Sequence, residues 1–458
     1  MFFRSFFVEG LATGRGGWYQ CFLSSWSLGN FTRVFNLGFA YSLVSVSSLL
    51  GRVREELGFL RGNLLVLMAS YMVFGFTSGL FGPFRSLYIR ELGASPLVLG
   101  LMTSVGYVIL AFIRIPGAFI ADRYGRRKVI AVFTFGAALS YAFYVFAWDW
   151  RIIMVAVVVS SLSHIYQPAL EAIEADSLPP GKRGVGYSLI WVLPGVPAFL
   201  GPMVSGYLVE RSGLVPGMRL VYVVVFACTL VVAGIRWRYL KETVGEGGGL
   251  GHRELVASFR ESFGSIREAW RGMGREVRYV TLVYLLISFE YPLFDTFYSL
   301  FAYDVVGVTG LEWGLISTIG SLSLILVGYP AGRLIDRIGR RRSMLLAYLF
   351  STPVLLGFMA ARGFTQMVLV DVSFRVSTAL MFPALMALRA DIIPRDMRGR
   401  VMGLMGTLRS LAMVPAATVF GYLYEVNRVY PYMIGVVIEV VTVAIIWGLI
   451  SEPETGEE

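Results

Sequence analysis

Ionisable side chains interrupt long apolar stretches of this sequence, and their spacing shows what chemistry they could do. His164, Gln167, Glu171 and Glu174 follow one another at intervals of 3, 4 and 3 residues, which keeps side chains on one face of an α-helix. Glu290 and Asp295 lie five apart. On a regular helix that sends them to different faces, so at most one of them faces a shared cavity. Asp295 is nearer the middle of its apolar stretch, among Tyr291, Phe294, Phe297 and Tyr298. Asp371 and Arg375 have the i,i+4 spacing of an intrahelical ion pair. Either they neutralise each other, or Asp371 bonds elsewhere and Arg375 is left as an anchor for an anionic substrate. Arg85 either reaches a membrane interface or faces a cavity. Arg114, Arg409 and Glu439 are further charges in apolar surroundings. An ionised group costs from about 2.5 to more than 10 kcal/mol at the centre of a bilayer, which makes such residues candidates for function. A carboxyl group whose exposure or arginine neighbour changes can gain and lose a proton, so Glu171 and Asp295 are candidates for proton coupling.

The elements that must position these groups are membrane-spanning helices. Of 458 residues, 56% are hydrophobic and 15% charged, with a mean hydropathy of +0.68. Apolar runs of about 17 to 25 residues recur, each long enough to cross the hydrocarbon core as a helix. They fall near 64–88, 97–121, 129–147, 152–175, 184–209 and 220–237, then near 279–303, 313–335, 344–361, 366–389, 401–424 and 432–450. The predicted fold is an all-α polytopic membrane protein of twelve transmembrane helices in two pseudo-symmetric six-helix bundles. The runs are continuously apolar, which excludes the alternating strands of an outer-membrane barrel, and a soluble enzyme is excluded by composition. There is no phosphate-binding glycine loop and no G-x-S-x-G turn, and His164 and His252 are the only histidines, so neither an enzyme nor a nucleotide-driven pump is expected. Cys21 and Cys228 cannot build a disulfide framework, and no Cys/His cluster has metal-ligand spacing. No metal and no cofactor is expected.

The net charge of +10 reads as topology, with no nucleic-acid partner. Arg123, Arg126, Arg127 and Lys128 crowd the second connection; Lys182 and Arg183 lie in the fourth, Arg337, Arg340, Arg341 and Arg342 in the eighth, and Arg395, Arg398 and Arg400 in the tenth. By the positive-inside rule these connections, and both ends of the twelve-span unit, are cytoplasmic. The chain divides into an extension 1–62, bundles at 63–240 and 278–452, a linker 241–277 and an acidic tail 453–458. The linker reads as a basic amphipathic helix on an anionic membrane surface or, alternatively, as a solvated linker helix. The extension fits the topology poorly: either translation starts internally near Val53, or the segment is a real extension, weakly ordered or lying on the membrane.

The two bundles repeat each other. Asp122-Arg123-Tyr124-Gly125-Arg126-Arg127 returns as Asp336-Arg337-Ile338-Gly339-Arg340-Arg341, Asp176 as Asp391, Gly206-Tyr207-Leu208 as Gly421-Tyr422-Leu423, and Glu242-Thr243 as Glu454-Thr455, at offsets of 212 to 215 positions. On these residues the chain resembles the major facilitator superfamily from about Leu64 to Glu454, through that family's G-x-L-a-D-R-x-G-R-R signature. The first copy departs at Ala118, where a glycine is expected, and the second matches from Gly332 to Arg341. Gly201-Pro202-Met203-Val204-Ser205-Gly206 resembles the tail of a signature of drug/proton antiporters; its small residues also serve close packing and bending of the fifth span.

The resemblance implies alternating access by rocking of two bundles, with spans 1, 4, 7 and 10 around a central cavity. It makes the arginine-rich loops, with Asp176 and Asp391, a latch that holds the outward-facing state. The stripe of the fourth span then becomes the best cavity wall. The expected function is proton-coupled export of amphipathic compounds or metabolites across the cytoplasmic membrane of a prokaryote, by a monomer, with protons and a small molecule as partners. The alternatives are an importer or facilitator of an organic anion or sugar, anchored by Arg375 or Arg85, and a membrane sensor that does not transport.

Overall fold

The structure, a computed structural model, describes residues 57–179, 182–243, 273–393 and 398–452. Most of the extension 1–62, most of the linker 241–277 with its expected amphipathic helix, and the tail 453–458 lie outside the described residues. So do the side chains of Arg114, Asp122, Arg183 and Arg398.

Gly62–Glu458 forms one compact unit. Among its described residues, twelve helical segments are long and apolar enough to cross a membrane, each overlapping one expected span. They are α1 (Asn63–Glu91), α2 (Pro96–Tyr124), α3 (Arg126–Phe146), α4 (Trp150–Ser177), α5 (Gly186–Ser212), α6 (Leu214–Tyr239), α7 (Arg275–Val306), α8 (Gly310–Ile338), α9 (Arg340–Ala360), α10 (Phe364–Ile392), α11 (Arg398–Val426) and α12 (Tyr430–Leu449).

Local chemistry repeats between halves as the sequence does. Ser95 Oγ accepts from the Val98 amide at 3.3 Å to start α2. Thr309 does the same for Glu312 at the start of α8, and the Glu312 carboxylate accepts the Thr309 amide at 2.8 Å, closing a capping box. The arginine-rich turns hinge on Gly125 (φ 91) and Gly339 (φ 93), a conformation that glycine adopts without strain.

Two seams join the halves, α5 against α8 and α11 against α2. Glycines allow the approach: a Cβ on Gly314 would stand 2.4 Å from the Pro202 carbonyl oxygen, and one on Gly100 would stand 2.2 Å from that of Ala417. In α5, Gly201 abuts Gly79 of α1, Gly206 abuts Gly314, and the Ser205 hydroxyl donates to the Gly201 carbonyl at 3.1 Å. The small residues of the fifth span therefore pack it against both halves.

The two ends of the molecule are built differently. At the end away from the arginine-rich turns, one hydrophobic core draws Tyr88, Met102 and Tyr222 from the first half together with Phe297, Trp313 and Phe420 from the second. At the arginine-rich end the cores separate: Leu67, Ile130, Ile173 and Leu240 cluster in the first half, and Met344, Leu388 and Val401 in the second. The far end is also clasped by polar contacts. Arg90 pairs with Asp304, Glu425 accepts from the Leu97 amide at 3.1 Å, and Glu210 accepts from the Leu311 amide at 3.3 Å.

Candidate functional site

Breaks in two helices present the central charges. In α1 a 3-10 turn at Gly82–Phe84, containing Pro83, precedes Arg85. In α7, Pro292 is followed by a π turn at Leu293–Phe297 that carries Asp295. Proline removes a ladder donor, and single π turns re-aim side chains. Arg85 Nη2 thereby meets Asp295 Oδ2 at 3.2 Å across the two halves, with both side chains 33% exposed. The pair stands in a central hollow of about 530 Å³, also lined by Tyr107 of α2, Tyr144 of α3, His164 of α4, Tyr291 of α7 and Arg409 of α11. Arg85 faces this cavity and does not snorkel. The Arg409 guanidinium lies 5.7 Å from the Tyr291 ring centre.

A second hollow of about 350 Å³ lies within the second half and shares Tyr284, Tyr291, Asp295 and Arg409 with the first. Its further walls include Glu290, Phe294, Tyr348, Phe374, Arg375 and Glu439. The expectation that only one of Glu290 and Asp295 can face a cavity holds for the central hollow but not for this one. The π turn adds a residue to the helical repeat, so side chains five apart line the same space. Glu290 and Glu439 are buried, 6% and 2% exposed. The Ser351 hydroxyl donates to Glu439 Oε1 at 2.7 Å, whereas Glu439 Oε2, Glu290 Oε1 and the Tyr348 hydroxyl have no hydrogen-bond partner.

The stripe of the fourth span does not stay on one face. A 3-10 turn at His164–Tyr166, followed by Pro168, shifts the helical phase. His164 lines the central hollow, its Nδ1 donating to the Ser160 carbonyl at 2.8 Å. Gln167 is half-buried and Glu171 exposed, and neither lines either of these two hollows. Glu174 is buried and accepts from the Tyr71 hydroxyl of α1. Asp371 and Arg375 do form their pair, at 3.5 Å. Asp371 is 1% exposed, accepts from the Tyr298 hydroxyl at 3.0 Å and presses against Gly320 of α8. Arg375 is left on the wall of the second hollow.

Sequence reasoning missed Arg236. It is fully buried between the Phe74 and Tyr166 rings and donates to Ser70 and Thr134. It lies inside the sixth apolar run near its end, where its spacing gave no sign of the Ser70 and Thr134 partners on other helices.

The contacts described at the arginine-rich turns stay within each half. Arg126 Nη1 pairs with Asp176 at 2.6 Å, and Glu242 accepts from the Arg126 and Arg127 amides at 3.2 and 3.0 Å. In the second half Arg340 pairs with Asp391 at 3.0 Å, and Glu452 accepts from the Arg340 and Arg341 amides. The structural counterpart of Glu242 is therefore Glu452; the expected match, Glu454, lies outside the described residues. Arg123, Asp336 and Arg337 are exposed.

Twelve apolar helices in two repeated halves, with a charged hollow between them, define a multi-pass membrane transporter. The family model of the Major Facilitator Superfamily matches residues 67–417 and again 280–458, and the chain belongs to that family. It is a transporter of small molecules and not an enzyme. Multidrug resistance protein 2 of Bacillus subtilis (strain 168) is 24% identical over 72% of this chain and 82% of its own length. Multidrug resistance protein MdtG of Dickeya zeae (strain Ech586) is 23% identical over 77% and 85%. Among solved structures, a D-xylose-proton symporter superposes with a TM-score of 0.65 at 15% identity, covering 85% of this chain and 98% of that one.

Proposed function

We propose that this transporter exports amphipathic small molecules in exchange for protons, by alternating access to the central hollow. The observation that carries the reading is the Arg85–Asp295 pair, which ties the halves together inside that hollow. A cationic substrate or a proton arriving at Asp295 competes with Arg85, so binding loosens a contact between the halves. The names of the multidrug resistance relatives support export. The arginine-rich end is cytoplasmic by the positive-inside rule. With a shared core and a clasp at the far end, the structure is then inward-facing, and the latch of Asp122, Arg123, Asp336 and Arg337 engages across the halves only in the outward-facing state. Bundles 63–240 and 278–452 are the rocking bodies, linked by 241–277. One chain lines the whole hollow, so a monomer in the cytoplasmic membrane of a prokaryote suffices.

A second reading, carriage of an organic anion, is favoured by Arg409, which lines both hollows and makes no ion pair among the described residues. Acid-loaded everted vesicles with a pH-sensitive dye separate the two. Lipophilic cations should release protons through the wild type, and Asp295→Asn should remove most of that release. Uptake of an organic acid, with no cation response, would replace the first reading by the second.

A further inference from the structure

We propose that Glu290 and Glu439 form a carboxylate pair that binds the coupling proton, so that proton uptake occurs in the hollow of the second half, beside the substrate path. The inference rests on the proton-coupled reading above and deepens it.

Glu290 of α7 and Glu439 of α12 line the same hollow. A Cβ on Gly435, one turn before Glu439, would stand 3.3 Å from Glu290 Oε1, so the Glu290 carboxylate lies against α12. Each carboxylate is more than nine-tenths buried and keeps one oxygen without a partner. Neither makes an ion pair among the described residues, and the donors described, Ser351 and Thr352, both serve Glu439. Two ionised carboxylates in a space walled by Phe294 and Phe374 repel each other and lose hydration. One proton held between them supplies the missing donor and removes one charge.

The fold does not demand this pair. The first half has Phe76 where the second has Glu290, at an offset of 214, and Thr229 where it has Glu439, at the offset of 210 set by Glu242 and Glu452; neither residue is ionisable. The groups facing the pair suit a proton that comes and goes. Tyr348 of α9 offers its unpartnered hydroxyl, Arg375 of α10 is engaged by Asp371, and Arg409 of α11 stands on the wall common to both hollows with Tyr284, Tyr291 and Asp295 of α7. Release breaks the carboxylic O–H bond, passes the proton to water in the hollow and leaves a carboxylate that Arg409 can approach. Substrate at Asp295 thus communicates with the proton through a shared wall.

Infrared difference spectroscopy of the purified protein in lipid nanodiscs tests the pair directly. A carboxylic-acid carbonyl band should be present in the wild type at neutral pH and lost in both Glu290→Gln and Glu439→Gln. In vesicles, tetraphenylphosphonium exchange without a pH gradient should survive in Glu439→Gln while proton release is lost, and Glu439→Asp should restore release. A band unchanged in both Gln variants, or wild-type proton release in either, overturns the proposal. If the wild type releases no proton with any substrate, the coupled reading itself has failed, and the infrared band alone then decides whether the pair holds a proton.

Discussion

The two halves agree at their ends and disagree at their centres. At the far end the agreement reaches single atoms: Glu210 of α5 accepts from Leu311 at the start of α8, and Glu425 of α11 accepts from Leu97 at the start of α2. Gly206 abuts Gly314 as Gly421 abuts Gly100. In the middle, the second half has a hollow with two buried carboxylates, whereas the first half fills the matching places with Phe76, Thr229 and Ala137 and buries a cation, Arg236, nearby. Repetition is kept at the seams where the halves meet and is lost around the hollows, as the proposed rocking of two bundles about a ligand site requires.

That contrast can be broken by exchanging residues. Thr229→Glu places an unpartnered carboxylate in a fully buried position and should cost about 4 kcal/mol in detergent unfolding. Glu439→Val should be neutral or stabilising while abolishing proton release. Equal costs for the two would show that the halves do not differ at this site. At the seams, Gly100→Leu and Gly314→Leu should each cost about 3 kcal/mol or more, whereas Gly403→Leu and Gly448→Leu, with nothing within 4 Å of a Cβ, should stay within about 0.5 kcal/mol of wild type by thermal melt. Tolerance at one seam alone would end their equivalence. Arg85→Met leaves Asp295 without its partner in a half-open hollow, where water screens the charge; about 1 kcal/mol of the closed far end should be lost, read as a widened distance between spin labels on α1 and α7. Smallest of all, Glu210→Gln and Glu425→Gln should each shift the same distance distribution by about 0.5 kcal/mol, and by similar amounts.

Much of this architecture could be read from the chain, because its signals are local. Twelve apolar runs, their glycine-hinged arginine turns and the repeat need only neighbouring residues to be seen. The site was harder to read because its contacts are not local. Arg85 and Asp295 are 210 positions apart. Glu290 shares a hollow with Asp295 through a π turn that helical periodicity cannot anticipate. In the fourth span a 3-10 turn undid a stripe whose spacing was regular, leaving Glu171 outside both hollows. Asp371 and Arg375, by contrast, were legible as a pair because four residues separate them.

The clasp at the far end has an environmental consequence. Glu210 and Glu425 are exposed, and charge against a helix terminus weakens as salt screens it. Because each carboxylate holds the helix of the opposite half, the two contacts weaken together. In the proposed orientation both face the surrounding medium, so the resting balance between inward- and outward-facing molecules follows the salinity outside the cell before any substrate binds.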